Sequence, residues 1–480
     1  MVSSNTNSIF SWQVSVSQTT DCSIQTSLSS QSGQPHEPEL SQPQPPVSPE
    51  DKPSLRYQLI GGCMALALLL TATNPITHLS LIWPGLLLWS ALALSWSQLA
   101  IATRRQAGLL MLVGVGGMGW GVFQGADLPW QTAISSNGNL LAMLMAVSFL
   151  SMVAAKEPNE EPEALPEGRS ALKQTLAGVH LFGAVINMSI VFIMADRFAF
   201  ASHDGNTLKN TQHQVLSRAF CAGAFWSPFF AAVAVALTYA PGANLLTLMQ
   251  AGIPLAITGV LITYFELRPK AESFTGYPMQ IGSLALPAFL ALAVISAHYL
   301  FPTLSVLQII SILSPLTAIG VLLFKRKSVV KKLRNHTNNR LARMGNELAL
   351  FLAAGTMAAG LGTLFTLYAD QLPIPQLTPL VTSLLLLTML VLSLLGVHPV
   401  ISIATISGLM LPTQPPMDLL AMIFLASWAI GTACSPMSGM NLSLRGRYFI
   451  SAKQALRNNL HYGVIMWLIT SASLWYYNPL

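Results

Sequence analysis

Long uninterrupted apolar stretches constrain this chain more than any other feature. About a dozen of them, such as "SLLLLTMLVLSLLGV", are long enough to span a bilayer, which needs roughly 20 helical residues. Only 9% of the 480 residues are charged, against about 25% in a typical soluble domain. A β-barrel would show alternating strands of about 10 residues instead. We therefore predict an all-α polytopic membrane protein with about 11 to 13 transmembrane helices.

Positive charge is concentrated at one place in the chain. The net charge is +6, and eight of the 24 basic residues lie between Lys325 and Arg343. Nucleic-acid binding is one interpretation, but the positive-inside rule favours a cytoplasmic loop. The basic "TRRQ" at 103–106 indicates a cytoplasmic loop, and the loop 124–138, which lacks Lys and Arg, indicates an external one. Together they place the N-terminus inside. We expect a multi-pass protein of the plasma (bacterial inner) membrane, with the lipid bilayer and no nucleic acid as partner.

The composition changes along the chain and indicates five regions. The first is rich in Ser, Gln and Pro, and its low apolar content predicts a disordered cytoplasmic tail without a signal peptide. A group of N-terminal membrane helices, a first transport repeat with connecting helices, a basic cytoplasmic linker, and a second transport repeat with the last helix follow. Their predicted bounds are 1–55, 56–170, 171–324, 325–344 and 345–480.

One apolar region, 174–200, does not fit a simple crossing. If the basic linker is cytoplasmic, counting the membrane crossings back from it places both ends of 174–200 on the cytoplasmic side. This parity predicts a re-entrant hairpin, and "GAVINMSIV" places Asn187 and Ser189 where the hairpin would turn. Irregular backbone at that depth requires surrounding protein or a water-filled cavity. An ordinary membrane span is the alternative.

Two motifs recur and suggest an internal repeat. Gly-Val-His occurs at Gly178–His180 and Gly396–His398, and Ser-Pro occurs at Ser227–Pro228 and Ser435–Pro436. Small polar residues follow each histidine by seven and nine positions. The histidines are 218 residues apart (398 − 180) and the serines 208 (435 − 227), a difference that a longer connector in the first copy explains. We therefore predict two structural repeats with re-entrant hairpins and broken helices.

The Ser-Pro sites predict breaks in two membrane helices. Proline lacks an N–H donor and clashes with the preceding turn, so it frees backbone carbonyls. Half-helix N-termini suit an anion, and carbonyl and hydroxyl oxygens suit Na⁺. Two proline kinks that only shape packing are the alternative. The candidate substrate-binding residues are Asn187, Ser189, Ser227, Pro228, Thr405, Ser407, Ser435, Pro436, Ser438 and Asn441.

This pattern resembles the ion-transporter superfamily of secondary carriers, which includes divalent anion:sodium symporters, arsenite permeases and TRAP large subunits. The resemblance covers roughly 170–270 and 345–458. It implies scaffold helices, a re-entrant hairpin and a broken helix in each repeat. The Ser-Asn-Thr signature of the dicarboxylate branch is absent, and "NMS" at 187–189 is a loose substitute. The superfamily's repeats are inverted, whereas the charge count places His180 and His398 on the same side.

The functional expectation is a secondary active transporter of a small, anionic organic solute, coupled to H⁺ or Na⁺. His180 and His398 are the candidate coupling residues, because imidazole can carry a proton. We expect no enzymatic activity and no cofactor besides the coupling ion; a metal site is unknown, and a homodimer is an open alternative. A channel-like or scaffold subunit and a membrane-embedded lipid-handling protein are the other candidate functions. The stretch 442–458 is interpreted as a cytoplasmic interfacial helix.

Overall fold

The computed structural model describes residues 54–154, 165–200, 207–277, 285–368, 371 and 375–477. Within these ranges the chain is helical, and the β-type pairing consists of an isolated bridge between Glu167 and Thr275. This confirms the predicted all-α class. The predicted disordered tail lies outside the described residues except for its last two positions.

The helices form four consecutive groups along the chain. The N-terminal group contains α1 (Leu55–Thr77), α2 (Ile82–Ser95), α3 (Ile101–Phe123), α4 (Trp130–Ser135), α5 (Gly138–Ser148) and α6 (Ser151–Ala154). The first repeat contains α7 (Gly168–Ile186), α8 (Ser189–Phe200), α9 (Asn210–Ala222), α10 (Ala231–Tyr239) and α11 (Leu245–Leu267). The connecting group contains α12 (Ala285–Leu300), α13 (Val306–Phe324), α14 (Val329–Asn335) and α15 (Gly345–Tyr368). The second repeat contains α16 (Pro379–Leu394), α17 (Pro399–Met410), α18 (Met417–Cys434), α19 (Gly439–Tyr448) and α20 (Ala452–Tyr477).

Seven segments of the described chain are long and apolar enough to cross a membrane. Exposed leucines such as Leu66, Leu112 and Leu261 cover their outer faces, as lipid contact requires. The chain is therefore a multi-pass helical membrane protein. This number is below the predicted 11 to 13 because several other apolar stretches form helices shorter than a full span. The seven segments are Leu55–Thr77, Ile101–Phe123, Trp130–Val153, Leu245–Ser273, Val306–Phe324, Gly345–Tyr368 and Met417–Tyr448.

Close backbone contact joins α3 to α15. A Cβ atom on Gly117 would lie 2.8 Å from the carbonyl oxygen of Gly360, and one on Gly360 would lie 2.1 Å from that of Gly114. Only glycine permits this approach, which is typical of helix pairs in membranes because small residues bring backbones into van der Waals contact. This close packing joins the N-terminal group of helices to the second half of the chain.

The first repeat contains a hairpin that begins and ends at the same end of the bundle. Arg169, at the start of α7, pairs with Glu272 just after α11 (3.4 Å). Asp196, near the end of α8, accepts a hydrogen bond from Tyr448 at the end of α19. We call this the basic end of the bundle. The chain turns back between α7 and α8 at Asn187, which confirms the predicted re-entrant hairpin.

The second repeat contains a hairpin from the opposite end. The indole of Trp475, near the end of α20, donates to the carbonyl of Pro379 at the start of α16 (2.9 Å). Asp418, at the start of α18, which follows α17, accepts from the backbone N–H of Asn244 at the start of α11 (2.6 Å). The segment α16–α17 therefore enters and leaves at the end remote from the basic end. The two repeats are inverted, which resolves the conflict between the resemblance and the charge count.

Each repeat also contains a broken helix that follows its hairpin. In the first, α9 starts at the basic end, the chain breaks at 226–230, and α10 continues across. In the second, α18 starts at the opposite end, breaks at 435–438, and continues as α19 to the basic end. The stretch 442–458, interpreted from the sequence as one interfacial helix, is divided between two helices: its first part belongs to α19, where the buried Leu444 and Tyr448 complete this broken crossing, and its last part begins α20.

Candidate functional site

The two breaks have the same backbone geometry. The N–H of Ser227 donates to the carbonyl of Gly223 (2.9 Å), and the N–H of Ser435 donates to that of Gly431 (2.8 Å). Each serine carbonyl then accepts from the residue three positions on, Phe230 at 3.0 Å and Ser438 at 3.2 Å. The proline after each serine has no N–H with which to continue the helix, so the helix is interrupted at the equivalent position in both repeats.

Each break is tied to its own hairpin through the serine side chain. Ser227 Oγ donates to the carbonyl of Ala184 near the end of α7, and Ser435 Oγ donates to the carbonyl of Ser393 near the end of α16. Both hydroxyls also accept from a backbone N–H two residues on, at 3.3 Å in each case. A buried hydroxyl and a buried carbonyl are thus satisfied together, and the hairpin and the broken helix form one unit.

These contacts fix the register of the repeat. Ser227 and Ser435 are 208 residues apart, as the sequence predicted, while Ala184 and Ser393 are 209 apart (393 − 184). At this register Asn187 corresponds to Gly396, and both have a positive φ, of 60° and 93°. The Gly-Val-His match, which is offset by 218, is therefore accidental. His180 lies inside α7, whereas His398 caps α17 after the second hairpin's turn.

The first hairpin turn carries an amide that contacts the first break. Asn187 adopts φ 60° and ψ −151°, a region that residues other than glycine rarely occupy. Its Nδ2 donates to the carbonyl of Phe229 (3.0 Å), one residue past Pro228. Asn187, Ser227 and Pro228 therefore come together, as three of the ten candidate residues.

The second break brings together Ser435, Pro436, Ser438 and Asn441. Ser438 caps α19 by accepting from the N–H of Asn441 (3.3 Å). The buried Asn441 Nδ2 donates to the carbonyls of Ala433 (3.2 Å) and Ser435 (2.9 Å). Carbonyls that lose their helical partners need a donor when buried. The break was predicted to leave carbonyls open, but the Asn441 amide donates to two of them.

Two of the three remaining candidates, Thr405 and Ser407, lie away from both breaks, inside α17. Thr405 Oγ1 donates to the carbonyl of Ile401 in its own helix (2.9 Å). Ser407 Oγ donates to the carbonyl of Tyr239 at the end of α10 (2.6 Å). They do not correspond to Asn187 and Ser189, because the repeat is offset by 208 to 209 residues. Ser407 instead joins the second hairpin to the first broken helix.

Two polar side chains from outside the repeats reach the hairpin turns. Arg340, in the linker between α14 and α15, donates from Nη2 to Ser189 Oγ at the start of α8 (2.9 Å). Gln106, in the second turn of α3, donates from Nε2 to the carbonyl of Gly396 (3.1 Å). The guanidinium beside Ser189 brings a positive charge to the first turn. From the sequence, Arg340 was only one of the charges of the basic linker, and its contact with Ser189 was not predicted.

A buried polar network connects the two broken helices. His213 of α9 shares a hydrogen bond with Asn441 of α19, Nε2 to Oδ1 at 3.0 Å. Its Nδ1 faces the Nδ2 amine of Asn458 at 3.1 Å. The amine donates and the amide oxygen accepts, so these contacts assign the proton to Nε2. His213 was not among the residues predicted from the sequence, although an ionisable group within a membrane helix is a signal of function.

Arg218 lies next to His213 and is fully buried. Nη1 donates to Glu266 Oε2 (2.6 Å), a carboxylate that is 34% exposed, and Nε donates to Asn459 Oδ1 (2.9 Å). The guanidinium also stacks on the Tyr462 ring, 4.8 Å from its centroid. A charge without solvent needs such compensation. Arg218 therefore joins α9, α11 and α20, and its side chain is not exposed to solvent at a helix end.

The two candidate coupling histidines have different surroundings. His180 Nδ1 lies 3.1 Å from the carbonyl of Ala219, and its Nε2 accepts from the Trp226 indole at 3.2 Å. His398 Nδ1 accepts from the N–H of Val400 (3.3 Å), and its ring packs edge-on against Trp428 at 5.4 Å. His180 therefore contacts the first broken helix on both ring nitrogens. The described residues contain no group of three His, Cys, Asp or Glu side chains that could hold a metal ion.

The comparison with solved structures gives a weak likeness to a transporter, and the sequence comparisons give none. No protein-family model and no curated protein sequence matches the chain. Among solved structures, the YdaH transporter of Alcanivorax borkumensis, whose crystal structure is described as having an unusual topology, is similar at a TM-score of 0.42 and 15% identity. The match covers 88% of this chain and 98% of that one. A likeness at this level assigns neither fold nor function.

Proposed function

We propose that this chain is a secondary active transporter that moves a small, anionic organic solute across the bacterial inner membrane, coupled to H⁺ or Na⁺. The observation that carries the proposal is the matched pair of hairpin and broken helix, joined by Ser227 in one repeat and Ser435 in the other, in opposite orientations. Many secondary transporters form their binding sites from discontinuous helices of inverted repeats. The same plan supports membership of the ion-transporter superfamily.

The first hairpin turn favours an anionic solute. Arg340 places a guanidinium at Ser189, two residues from the strained Asn187. A planar guanidinium binds carboxylate or phosphate through two parallel hydrogen bonds. At the second break, Met437 is exposed and the neighbouring Ser438 caps α19. We propose that the solute contacts Asn187, Ser189 and Arg340 on one side and Ser438 on the other.

Either coupling ion would change a contact at a break. Protonation of His180 on Nε2 would remove the acceptor for Trp226 and loosen α7 from the first break. A sodium ion at the second break would take the carbonyls of Ala433 and Ser435, so it would displace the Asn441 amide. In both cases the ion changes how a broken helix is held, which is what alternating access requires.

The charge distribution supports a cytoplasmic basic end. Arg169, Lys270 and Lys453 lie at that end of the bundle, and the positive-inside rule places such residues in the cytoplasm. We propose that the N-terminus lies on the same side. Cysteine substitution at the exposed Ser451 should give labelling by a membrane-impermeant maleimide only after cells are opened. Labelling of intact spheroplasts at Ser451→Cys would reverse the orientation.

The test is transport by the purified full chain in liposomes. Labelled carboxylates and organic phosphates are offered under an imposed H⁺ or Na⁺ gradient, and uptake is compared with empty liposomes. We expect gradient-dependent uptake of at least one anion, and a loss of more than tenfold in Arg340→Gln. Arg334→Gln, which removes the same charge from α14, serves as the matched control. Gradient-independent flux of ions would indicate a channel and overturn the proposal.

A further inference from the structure

A basic cavity of about 510 Å³ lies at the basic end, away from both breaks. Its walls come from the start of α9, the turn Arg268–Ser273 after α11, and the first turns of α20. Three cations line it, Lys270, Lys453 and Arg457, and no carboxylate does. In the described part of the chain none of the three has a carboxylate within salt-bridge distance. The cavity therefore holds an excess of positive charge.

The polar wall of the cavity is arranged by amides. Asn210 Oδ1 accepts from Gln454 Nε2 (2.5 Å) and from Asn458 Nδ2 (3.1 Å). These bonds, together with the bond from Asn458 Nδ2 to His213, use amide hydrogens between the helices and hold the wall in place. The three cations of the cavity suit the oxygens of a phosphate group.

An apolar surface continues directly from the cations along α20. Lys453, Arg457, Leu460 and Val464 follow one another at intervals of three or four residues, so they share one face of the helix. Leu460 is 43% exposed and Val464 48%. On the neighbouring α11, Leu261 and Phe265 are also exposed. Cations at the start of α20, with exposed apolar side chains farther along α20 and on α11, match the headgroup and the acyl chains of a phospholipid.

We propose that this cavity binds the phosphate of an anionic phospholipid, with the acyl chains along the exposed apolar side chains of α11 and α20. Basic pockets between membrane helices on the cytoplasmic side are suited to such headgroups. The site is separate from the proposed solute site, and the proposal does not depend on transport. It is also connected to the second break, because Asn458 in its wall contacts His213, which contacts Asn441. A bound lipid would fix Asn458 and so stabilise the covered state of that break.

The experiment uses the full chain purified into nanodiscs of phosphatidylcholine, with phosphatidylglycerol titrated in. We expect the unfolding temperature to rise with the phosphatidylglycerol fraction. Native mass spectrometry should show retained phosphatidylglycerol. A Lys453→Gln, Arg457→Gln double variant should weaken lipid binding by about 30-fold, since each cation near an anionic surface contributes a factor of about five.

The matched control is Lys331→Gln, Lys332→Gln, which removes two charges from α14 and should leave lipid binding unchanged. An equal loss in this control would mean that total charge, not the cavity, attracts the lipid, and would overturn the proposal. A second arm adds glycerol phosphate or inorganic phosphate in phosphatidylcholine alone. If either raises the unfolding temperature as much as phosphatidylglycerol does, the ligand is a free phosphate and the lipid assignment is wrong.

Discussion

His213 and Asn441 lie in different repeats, 228 residues apart, and share a buried hydrogen bond of 3.0 Å. The same Asn441 amide covers two carbonyls freed by the second break, at Ala433 and Ser435. One side chain therefore satisfies the broken helix of one repeat and connects it to the broken helix of the other. A movement that separates the repeats has to change both sets of contacts at once.

Replacing Asn441 with Ala should destabilise the protein strongly. It leaves the buried His213 Nε2–H without its acceptor, at a cost of about 1–3 kcal/mol, and it removes one of the donors to each of the carbonyls of Ala433 and Ser435. The measurement is thermal unfolding of the purified chain in detergent. Ser443→Ala, on the exposed side of the same helix, removes only a local hydroxyl and should shift the midpoint little. Equal midpoints for the two variants would contradict the role of Asn441.

The two serines of the breaks should be equivalent in stability. Ser227→Ala and Ser435→Ala each remove a donor to a hairpin carbonyl and an acceptor for a backbone N–H. We expect a loss of about 1–3 kcal/mol for each. Because the two contacts lie in separate hairpin units, the double variant should be additive within about 0.5 kcal/mol. Ser90→Ala on an exposed face of α2 is the control. A loss confined to one serine would argue against the matched repeats.

Asn187 and Gly396 occupy matching turns and should respond differently to substitution. At Asn187, Gly should be tolerated better than Ala, because Gly accepts φ 60° and Ala does not, while both lose the bond to Phe229. At Gly396, Ala should cost about 1–2 kcal/mol through its left-handed φ. Unfolding midpoints of the three variants provide the comparison. An Ala at 187 that is as stable as Gly would show that the turn relaxes.

The sequence predicted much of the fold because its signals are local. Apolar length identified the membrane helices, and a crossing count based on charge identified the hairpin at Asn187. Ser-Pro marked both breaks correctly, since proline acts on its own turn. The second hairpin was predicted with its turn at the wrong residues, because the actual turn, around Gly396, is bounded by apolar residues and carries no charge to reveal a reversal.

The site was less predictable because its contacts join distant parts of the chain. Gly-Val-His at 178 and 396 looked like a repeat, yet the true register became visible only through the bonds from Ser227 to Ala184 and from Ser435 to Ser393. Arg340 meets Ser189 across 151 residues, and His213 meets Asn441 across 228. Spacing along the chain carries no information about such pairs.

The glycine contact between α3 and α15 predicts that Gly360→Ala is destabilising. Gly362, two residues away, provides the control. Gly360→Ala would place a methyl group 2.1 Å from the carbonyl oxygen of Gly114, so the helices must separate. We expect a loss of about 1–3 kcal/mol or more from overpacking. Gly362 has open space where a Cβ would lie, and Gly362→Ala should be neutral or slightly stabilising. Thermal unfolding should rank the two variants in this order.

His336, in the linker outside the membrane-spanning segments, should make stability depend on pH. Burial, and then the positive charge of Arg340, lowers the pKa of His336 to about 4 from an ordinary value of 6.5. Its ring packs on Phe149 (4.5 Å), and its Nε2 bonds Ser148 Oγ (2.9 Å). Below pH 6.5 the unfolded chain takes up a proton on this histidine while the folded chain does not. Stability is therefore lost as the pH falls from about 6.5 to about 4.

The expected loss over this range is roughly 3 kcal/mol, because each unit of pKa difference corresponds to about 1.4 kcal/mol. His336→Gln keeps a polar side chain without a titrating group, so its stability should fall less over the same range. The measurement is the difference between wild-type and variant unfolding free energies at several pH values between 4 and 7.5. A constant difference would mean that His336 is protonated equally in both states, and that the linker is not packed against α5 as a neutral, buried segment.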